Sequence, residues 1–279
     1  MTTQIRTTGA LFAGVLLMST ALPGTAFAVD GQIAITQAKA MAGGVTPGDA
    51  PGFPVTVTQP GSYVLSGNLT VPDANTDAIV INASHVTIDL NGFAILGPTD
   101  CSGGLVPCAG SGSGLGISTD GVRFNITVRN GTIQGMGGTG ILLEGDSHLI
   151  EYMHVRSNGS GGIGVLASTD HGGSIVQHCT VQRNGSPASP FVFAPGVRLD
   201  FGIVTRNIVD TNTEGIFLQS GTVSYNVISR SRNTRGISII DKGNYIGNVS
   251  FENGIPGVIG GVNQGQNLCD GATCPGAQF

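Results

Sequence analysis

Residues 196–228 read Gly-Val-Arg-Leu-Asp-Phe-Gly-Ile-Val-Thr-Arg-Asn-Ile-Val-Asp-Thr-Asn-Thr-Glu-Gly-Ile-Phe-Leu-Gln-Ser-Gly-Thr-Val-Ser-Tyr-Asn-Val-Ile. One pattern occurs twice in this stretch, 19 residues apart. Gly196-Val197-x-Leu199 leads to Val204-x-x-Asn207-x-Val209, and Gly215-Ile216-x-Leu218 leads to Val223-x-x-Asn226-x-Ile228. The second half of the pattern, an aliphatic position zero with small or apolar residues three and five further on, recurs along the chain. It begins at Val64, Ile88, Val128, Ile150, Val176, Val204, Val223 and Ile246, eight copies in all. Successive zero positions differ by 24, 40, 22, 26, 28, 19 and 23 residues. The two long intervals contain insertions at 97–116 and 186–195, the latter rich in Pro.

A period near 22 residues predicts an all-β, single-stranded parallel β-helix of about eight coils, each with three short strands. A leucine-rich repeat has a similar period, but its Leu-x-x-Leu-x-Leu signature is missing. One coil cannot bury its inner face, whereas stacked coils share a continuous aliphatic core. Each inward Ile, Val or Leu then contributes about 1.5–3 kcal/mol when fully buried. Position three holds Asn91, Asn207 and Asn226, which are expected to turn inward and stack on one another. Cys179 occupies the same position and reads as a buried thiol.

Composition agrees and excludes other classes. Glycine accounts for 46 of 279 residues, and charged residues for only 10%. Glycine without a Gly-X-Y period excludes collagen. A hydrophobic content of 40% is too high for a disordered polymer. The net charge is −5, with lysine only at 39 and 242, so there is no basic stripe for nucleic acid. Residues 1–28 read as an export signal: Arg6, an apolar run over 11–22, and Ala26-Phe27-Ala28 fitting an A-x-A cleavage site. The run is too short to span a bilayer, so no membrane span is expected and the location is periplasmic or extracellular. Cysteine usage fits an oxidising compartment. Cys101 with Cys108, and Cys269 with Cys274, read as two local disulfides, leaving Cys179 free.

The Gly-Ile-x-Leu motif recurs as Gly140-Ile141-Leu142-Leu143, Gly162-Ile163-Gly164-Val165, Gly196-Val197-Arg198-Leu199, Gly215-Ile216-Phe217-Leu218 and Gly236-Ile237-Ser238-Ile239. Gly116-Ile117-Ser118-Thr119 is a weaker copy. Together with the Val-x-x-Asn-x-Val strand pair, it resembles the right-handed parallel β-helix proteins of the pectate-lyase-like superfamily, over residues 61–253. That resemblance implies a right-handed coil, and a Gly-Ile-x-Leu strand forming the floor of a substrate cleft. It also implies a range of activities, from polysaccharide lyases, glycoside hydrolases and uronate epimerases to adhesins and repeat proteins with no assigned reaction. No one enzyme family's complete set of Asp, Arg and Lys signatures is present. Outside the coils, the Ala-rich residues 32–43 suggest a short capping helix. Residues 44–60 suggest a Gly/Pro linker, and 254–279 a C-terminal cap with a disulfide loop.

Strict alternation along the Gly-Ile-x-Leu strand gives two outward columns. The first is Ser118, Leu142, Gly164, Arg198, Phe217, Ser238; the second is Asp120, Glu144, Leu166, Asp200, Gln219, Ile240. The turn that follows adds Asp146, His148, Asp170, His171, Asp241 and Lys242. Acids, a base and an arginine thus gather on one edge of a chain with few charges. The candidate site is Glu144, Arg198 and Asp200, bordered by Asp170 and His171. In a lyase or epimerase, Arg198 or a Ca²⁺ ion in an oxygen-rich cluster would neutralise a uronate carboxylate, with His171, or second to it Lys242, taking the C5 proton. In a hydrolase two carboxylates would act as a pair. The competing reading is a scaffold or protein-interaction β-helix, in which these are solvated turn residues. His85, His148, His154 and His178 show no ligand spacing and read as structural. With no Trp and Phe217 the one aromatic on this strand, sugar stacking has little to rest on.

Overall fold

The computed structural model describes residues 31–99, 112–167, 172–185, 195–231, 235–254, 257–270 and 272–274. Its strands pair in parallel, residue against residue one coil on, as a solenoid of about eight turns. Among the described residues the one antiparallel pair is Leu268–Cys269 with Ala272–Thr273, at the C-terminal end. Three sheets run the length of the molecule. The first carries the Gly-Ile-x-Leu strands, the second position zero, the third position five.

The first sheet stacks Ile117, Ile141, Ile163, Val197, Ile216, Ile237 and Val258 in register. The second stacks Tyr63, Ile88, Val128, Ile150, Val176, Val204, Val223 and Tyr245. All eight side chains of this column are buried. The expected column is therefore present, with two exceptions at its ends. Val64 and Ile246 are half-exposed, and the tyrosine before each one takes the inward place. Tyrosine fits there because its ring fills the core while its hydroxyl reaches a polar partner. The Tyr63 hydroxyl donates to the Gln59 carbonyl at 2.7 Å.

The corners carry two asparagine ladders. Between the second and third sheets, Asn207, Asn226, Asn248 and Asn267 are buried one above another. Each Oδ1 accepts the backbone N–H and the Nδ2 of the asparagine one coil before it, at 2.9–3.1 Å, with Cys179 N–H completing the series at Asn207. Each Nδ2 also donates to a strand carbonyl, as Asn226 does to Val204 at 2.9 Å. Asn91 does not join: it is exposed at φ +50°, and Leu90 is buried in its stead. The second ladder lies between the third and first sheets and comprises Asn158, Asn184 and Asn212, again buried and bonded in series. Ser231 and Asn253 continue it.

These ladders explain the repeating glycine. A Cβ on Gly162 would sit 2.4 Å from the Gly196 carbonyl oxygen, 2.4 Å from Val181 and 3.0 Å from the Asn184 amide. Chain and ladder approach too closely for any side chain there.

Parallel pairing starts at Ile33–Ile35, which pairs with Gly61–Leu65, and reaches Leu268–Cys269. Helix α1, Gln37–Ala42, follows the first strand. The Thr36 hydroxyl caps it by accepting the Lys39 N–H at 3.0 Å, Gly43 ends it, and Ala40 is buried. Cys269 and Cys274 form a disulfide, and Cys179 is free and buried. The expected Cys101–Cys108 pair lies outside the described residues, as does the 186–194 part of the Pro-rich insertion.

Candidate functional site

The outward face of the first sheet is built by register. Ser118, Leu142, Gly164, Arg198, Phe217 and Ser238 are successive partners across the parallel strands, so the first outward column stands as aligned from the sequence. Gly164 lacks a side chain between Leu142 and Arg198. The Leu142 side chain leans over that position, 2.9 Å from where a Cβ would sit, and beside it is a notch of about 110 Å³ bordered by Thr139, Ser160, Leu142, Leu166, Pro195 and Arg198. Apolar walls with two hydroxyls and one guanidinium at the rim suit an amphipathic ring bearing an anion.

Arg198 is held in place. Its Nε donates to Asp200 Oδ1 at 3.2 Å, and its guanidinium carbon lies 5.5 Å from the Phe217 ring centroid. The Asp200 side chain is 12% exposed and that of Arg198 36%. Among the described residues the two Nη groups of Arg198 have no hydrogen-bond partner. An arginine anchored at Nε and packed on a ring keeps its Nη fork oriented for a second carboxylate.

The other expected members divide. Glu144 is half-buried on the second column, opposite Leu166, with its N–H bonded to the Thr119 hydroxyl at 2.8 Å. Leu142 and Arg198 are two strands apart, so the backbones of Glu144 and Asp200 are separated by ~10 Å along the axis. The structure therefore brings Asp200 to Arg198 and leaves Glu144 apart, across the apolar Leu166. Asp170 and His171 lie outside the described residues. Lys242 and Asp241 are exposed at the next corner. No group of three or more His, Cys, Asp or Glu among the described residues is arranged to hold a metal ion. Asp200, bonded to Arg198 with Glu144 two coils away, does not supply the six to eight oxygens of a calcium cage.

Glu214, one coil on from Pro195 of the notch, was not foreseen. It pairs with Pro195 at the rim of the same face, is 5% exposed, and has Arg235 in the equivalent place on the following coil. Burial pushes its carboxyl above the ordinary carboxylate range, and the charge of Arg235 opposes that shift. A buried carboxyl with a raised pKa is a candidate functional group. The signal lay in the residue before each motif glycine: Leu115, Thr139, Gly161, Pro195, Glu214, Arg235 place an acid beside a base.

The remaining polar groups are structural. His148 is buried, and its Nδ1 accepts the Ile126 N–H at 3.2 Å. Tyr152 stacks on His178, with centroids 5.1 Å apart and planes 11° from parallel. Arg206 lies over Tyr225 at 5.8 Å. These four occupy successive left-handed corner positions after position zero, away from the first sheet. Stacking covers the facing sides of Tyr152 and His178, and Arg206 covers one side of Tyr225. No helix among the described residues is long and apolar enough to cross a membrane.

Fold and face together define a parallel β-solenoid with a small notch beside Arg198 on its first sheet. Residues 113–268 match the family described as the right-handed β-helix region, and the chain belongs to that family. Among curated proteins and among solved structures, nothing matches the chain.

Proposed function

We propose that this chain is exported and binds an acidic polysaccharide along the outward face of the first sheet, with a uronate carboxylate on the Nη fork of Arg198. The observation that carries this reading is the anchored, half-exposed Arg198 beside the Gly164 notch. A cation on the outside of a strand does nothing for the core. Here two neighbours, Asp200 and Phe217, fix its direction without covering its Nη groups. Leu142, Leu166 and Pro195 give the notch an apolar lining against which one edge of a sugar would rest, with Thr139 and Ser160 beside it. Turnover would need a proton carrier in addition. Glu214, whose carboxyl burial pushes above the ordinary carboxylate range, is the candidate acid beside this face, and His171 is the residue the sequence offers as base for lyase or epimerase chemistry.

The test is calorimetric titration of the purified mature protein with polygalacturonate and alginate, with and without calcium, alongside ultraviolet detection of unsaturated uronate products. Arg198→Ala is expected to weaken binding on the order of tenfold or more, the loss of a charge-assisted bidentate contact. Its ion pair with Asp200 is partly exposed, so the same change costs at most about 1 kcal/mol of stability. If no uronate polymer binds, or if Arg198→Ala alters stability alone, the non-catalytic scaffold reading takes its place. The exposed apolar column Ile208, Val227, Val249 and Leu268 on the third sheet favours the other alternative, a protein-interaction β-helix.

A further inference from the structure

An open cleft of about 430 Å³ lies at the corner between the first and second sheets, near the C-terminal end of the solenoid. Its floor is bare backbone, because Gly221, Gly243 and Gly261 come together on three successive coils. Two of these glycines are required by packing. A Cβ on Gly221 would lie 2.0 Å from the Gly202 carbonyl oxygen, and one on Gly243 2.7 Å from that of Gly221. The close stacking that excludes side chains from the corner therefore also hollows it.

Lys242 stands at the rim, one of only two lysines in the chain. Its backbone is pinned: the carbonyl accepts both the Ser220 hydroxyl and the Gly221 N–H. Its ammonium is exposed and has no ion pair or hydrogen bond among the described residues. Around it are groups suited to a polyol. Asp241 has one carboxylate oxygen bonded to Gln219 at 3.1 Å, which leaves the other to accept. Asn244 accepts from Gln264 at 3.1 Å through Oδ1, which leaves its Nδ2 to donate. Thr222 lines the same space, and its hydroxyl has no partner among the described residues. One cation, one acceptor, one amide donor and one hydroxyl around a sugar-sized hollow fit a ring that carries a carboxylate and vicinal hydroxyls.

We propose that this corner cleft is a second, separate subsite for a uronate residue, with its carboxylate on Lys242 and its hydroxyls on Asp241, Thr222 and Asn244. The proposal rests on the reading that the natural ligand is an acidic polysaccharide. The cleft is two coils from Arg198, ~10 Å along the axis, and around the corner from it. A chain of a few sugars would therefore engage both places.

The experiment is an amide chemical-shift titration of the ¹⁵N-labelled mature protein with trigalacturonate, and in parallel with neutral trigalactose. The expected result is a set of shifts at Gly221, Gly243 and Asn244 with the acidic trimer only. In Lys242→Ala those shifts need on the order of tenfold more trimer, in Lys242→Arg they return to the wild-type concentration range, and they persist in Arg198→Ala. Lys242 is exposed, so both lysine variants retain the wild-type spectrum elsewhere. Absence of cleft shifts with the acidic trimer overturns the proposal, whatever the Arg198 face does. Equal shifts with the neutral trimer overturn the role of Lys242. Cleft shifts with none at Gly164 or Arg198 leave this subsite standing and overturn the Arg198 reading instead.

Discussion

His148 is 1% exposed, and its two ring nitrogens differ in what they meet. Nδ1 accepts the Ile126 N–H, whereas among the described residues Nε2 has no partner at hydrogen-bond geometry, and neither does Oδ1 of the nearby buried Asp146. Protonation would place a charge in this enclosure, so burial pulls the imidazole down to about 4 from its ordinary 6.5, against a smaller opposing effect of the Glu144 carbonyl. The folded protein then binds fewer protons at this site than the unfolded chain between those two values. Stability from His148 is full above pH ~6.5 and is lost as the pH falls towards ~4, a change of about 3 kcal/mol. His148→Asn keeps an acceptor for Ile126 and removes the titration. Denaturant melts from pH 7 to 4 are expected to fall less steeply for the variant than for the wild type, and parallel curves would refute the assignment. A second residue-scale expectation concerns Tyr245. An aliphatic template selects Ile246, yet Tyr245 is the neighbour that stacks on Val223. Tyr245→Ala is expected to cost about 3 kcal/mol or more, as large core truncations do. Ile246→Ala, on a half-exposed side chain, is expected to cost under about 1 kcal/mol by the same melts. The tyrosines were not legible because the pattern was read through hydrophobicity alone. A ring with a polar tip serves at the ends of the column, where the tip still finds a partner.

A single corner of the solenoid is a set of interlocked hydrogen bonds, and its loss is larger than that of one contact. Asn226→Ala removes the acceptor of the Asn207 N–H and Nδ2 and the donor to the Val204 carbonyl, all of them buried. Each orphaned group costs about 1–3 kcal/mol, so the variant is expected to lose at least ~3 kcal/mol in urea unfolding. Arg206→Ala, exposed at the outside of the same corner, is expected to stay within ~0.5 kcal/mol of wild type. A small effect at Asn226 would mean that the ladder is incidental to stability. This ladder was readable from Asn207 and Asn226 three residues after position zero. The other was equally regular and went unread. Asn158, Asn184 and Asn212 lie eight residues after Ile150, Val176 and Val204. They fall in polar, Gly-rich sequence between strands, where asparagine is also what an ordinary turn requires, and only stacking with the glycine corner shows that they are buried. Asn91 failed for the converse reason: Leu90 fills the inward place there, in a coil bordering the 97–116 insertion. The outward columns were legible because alternation along a strand is strict. Glu214 was not, because its place beside Pro195 and Arg235 is set by the stacking of coils and not by its own strand.

At the scale of the whole molecule, contacts link each coil to its neighbours and to little else, so stability is nearly a sum of coil terms and nearest-neighbour terms. Cys179 makes this measurable. It lies midway along the second-to-third corner, 2% exposed, with its N–H bonded to Asn207 at 2.9 Å and its Sγ against the Gln177 carbonyl at 3.1 Å. Burial pushes its thiol up to about 12, so the folded protein presents neither access nor thiolate at neutral pH. Alkylation must wait for the surrounding coils to open, and its rate follows the population of that open form when reclosing is fast. In a globular domain with one cooperative core, equal destabilisation anywhere would speed labelling equally. In a solenoid, the position of the destabilisation matters. Asn226→Ala, one coil from Asn207, is expected to accelerate alkylation of Cys179 more than Tyr63→Ala, which weakens the opposite end of the column by a comparable amount. Peptide mass mapping assigns the label to Cys179 against the other cysteines, and iodoacetamide at pH 7 with time points in low urea gives the rates. Equal acceleration by the two variants would show that the coils open as one unit, and that nearest-neighbour coupling in this chain is strong enough to make the whole ladder cooperative.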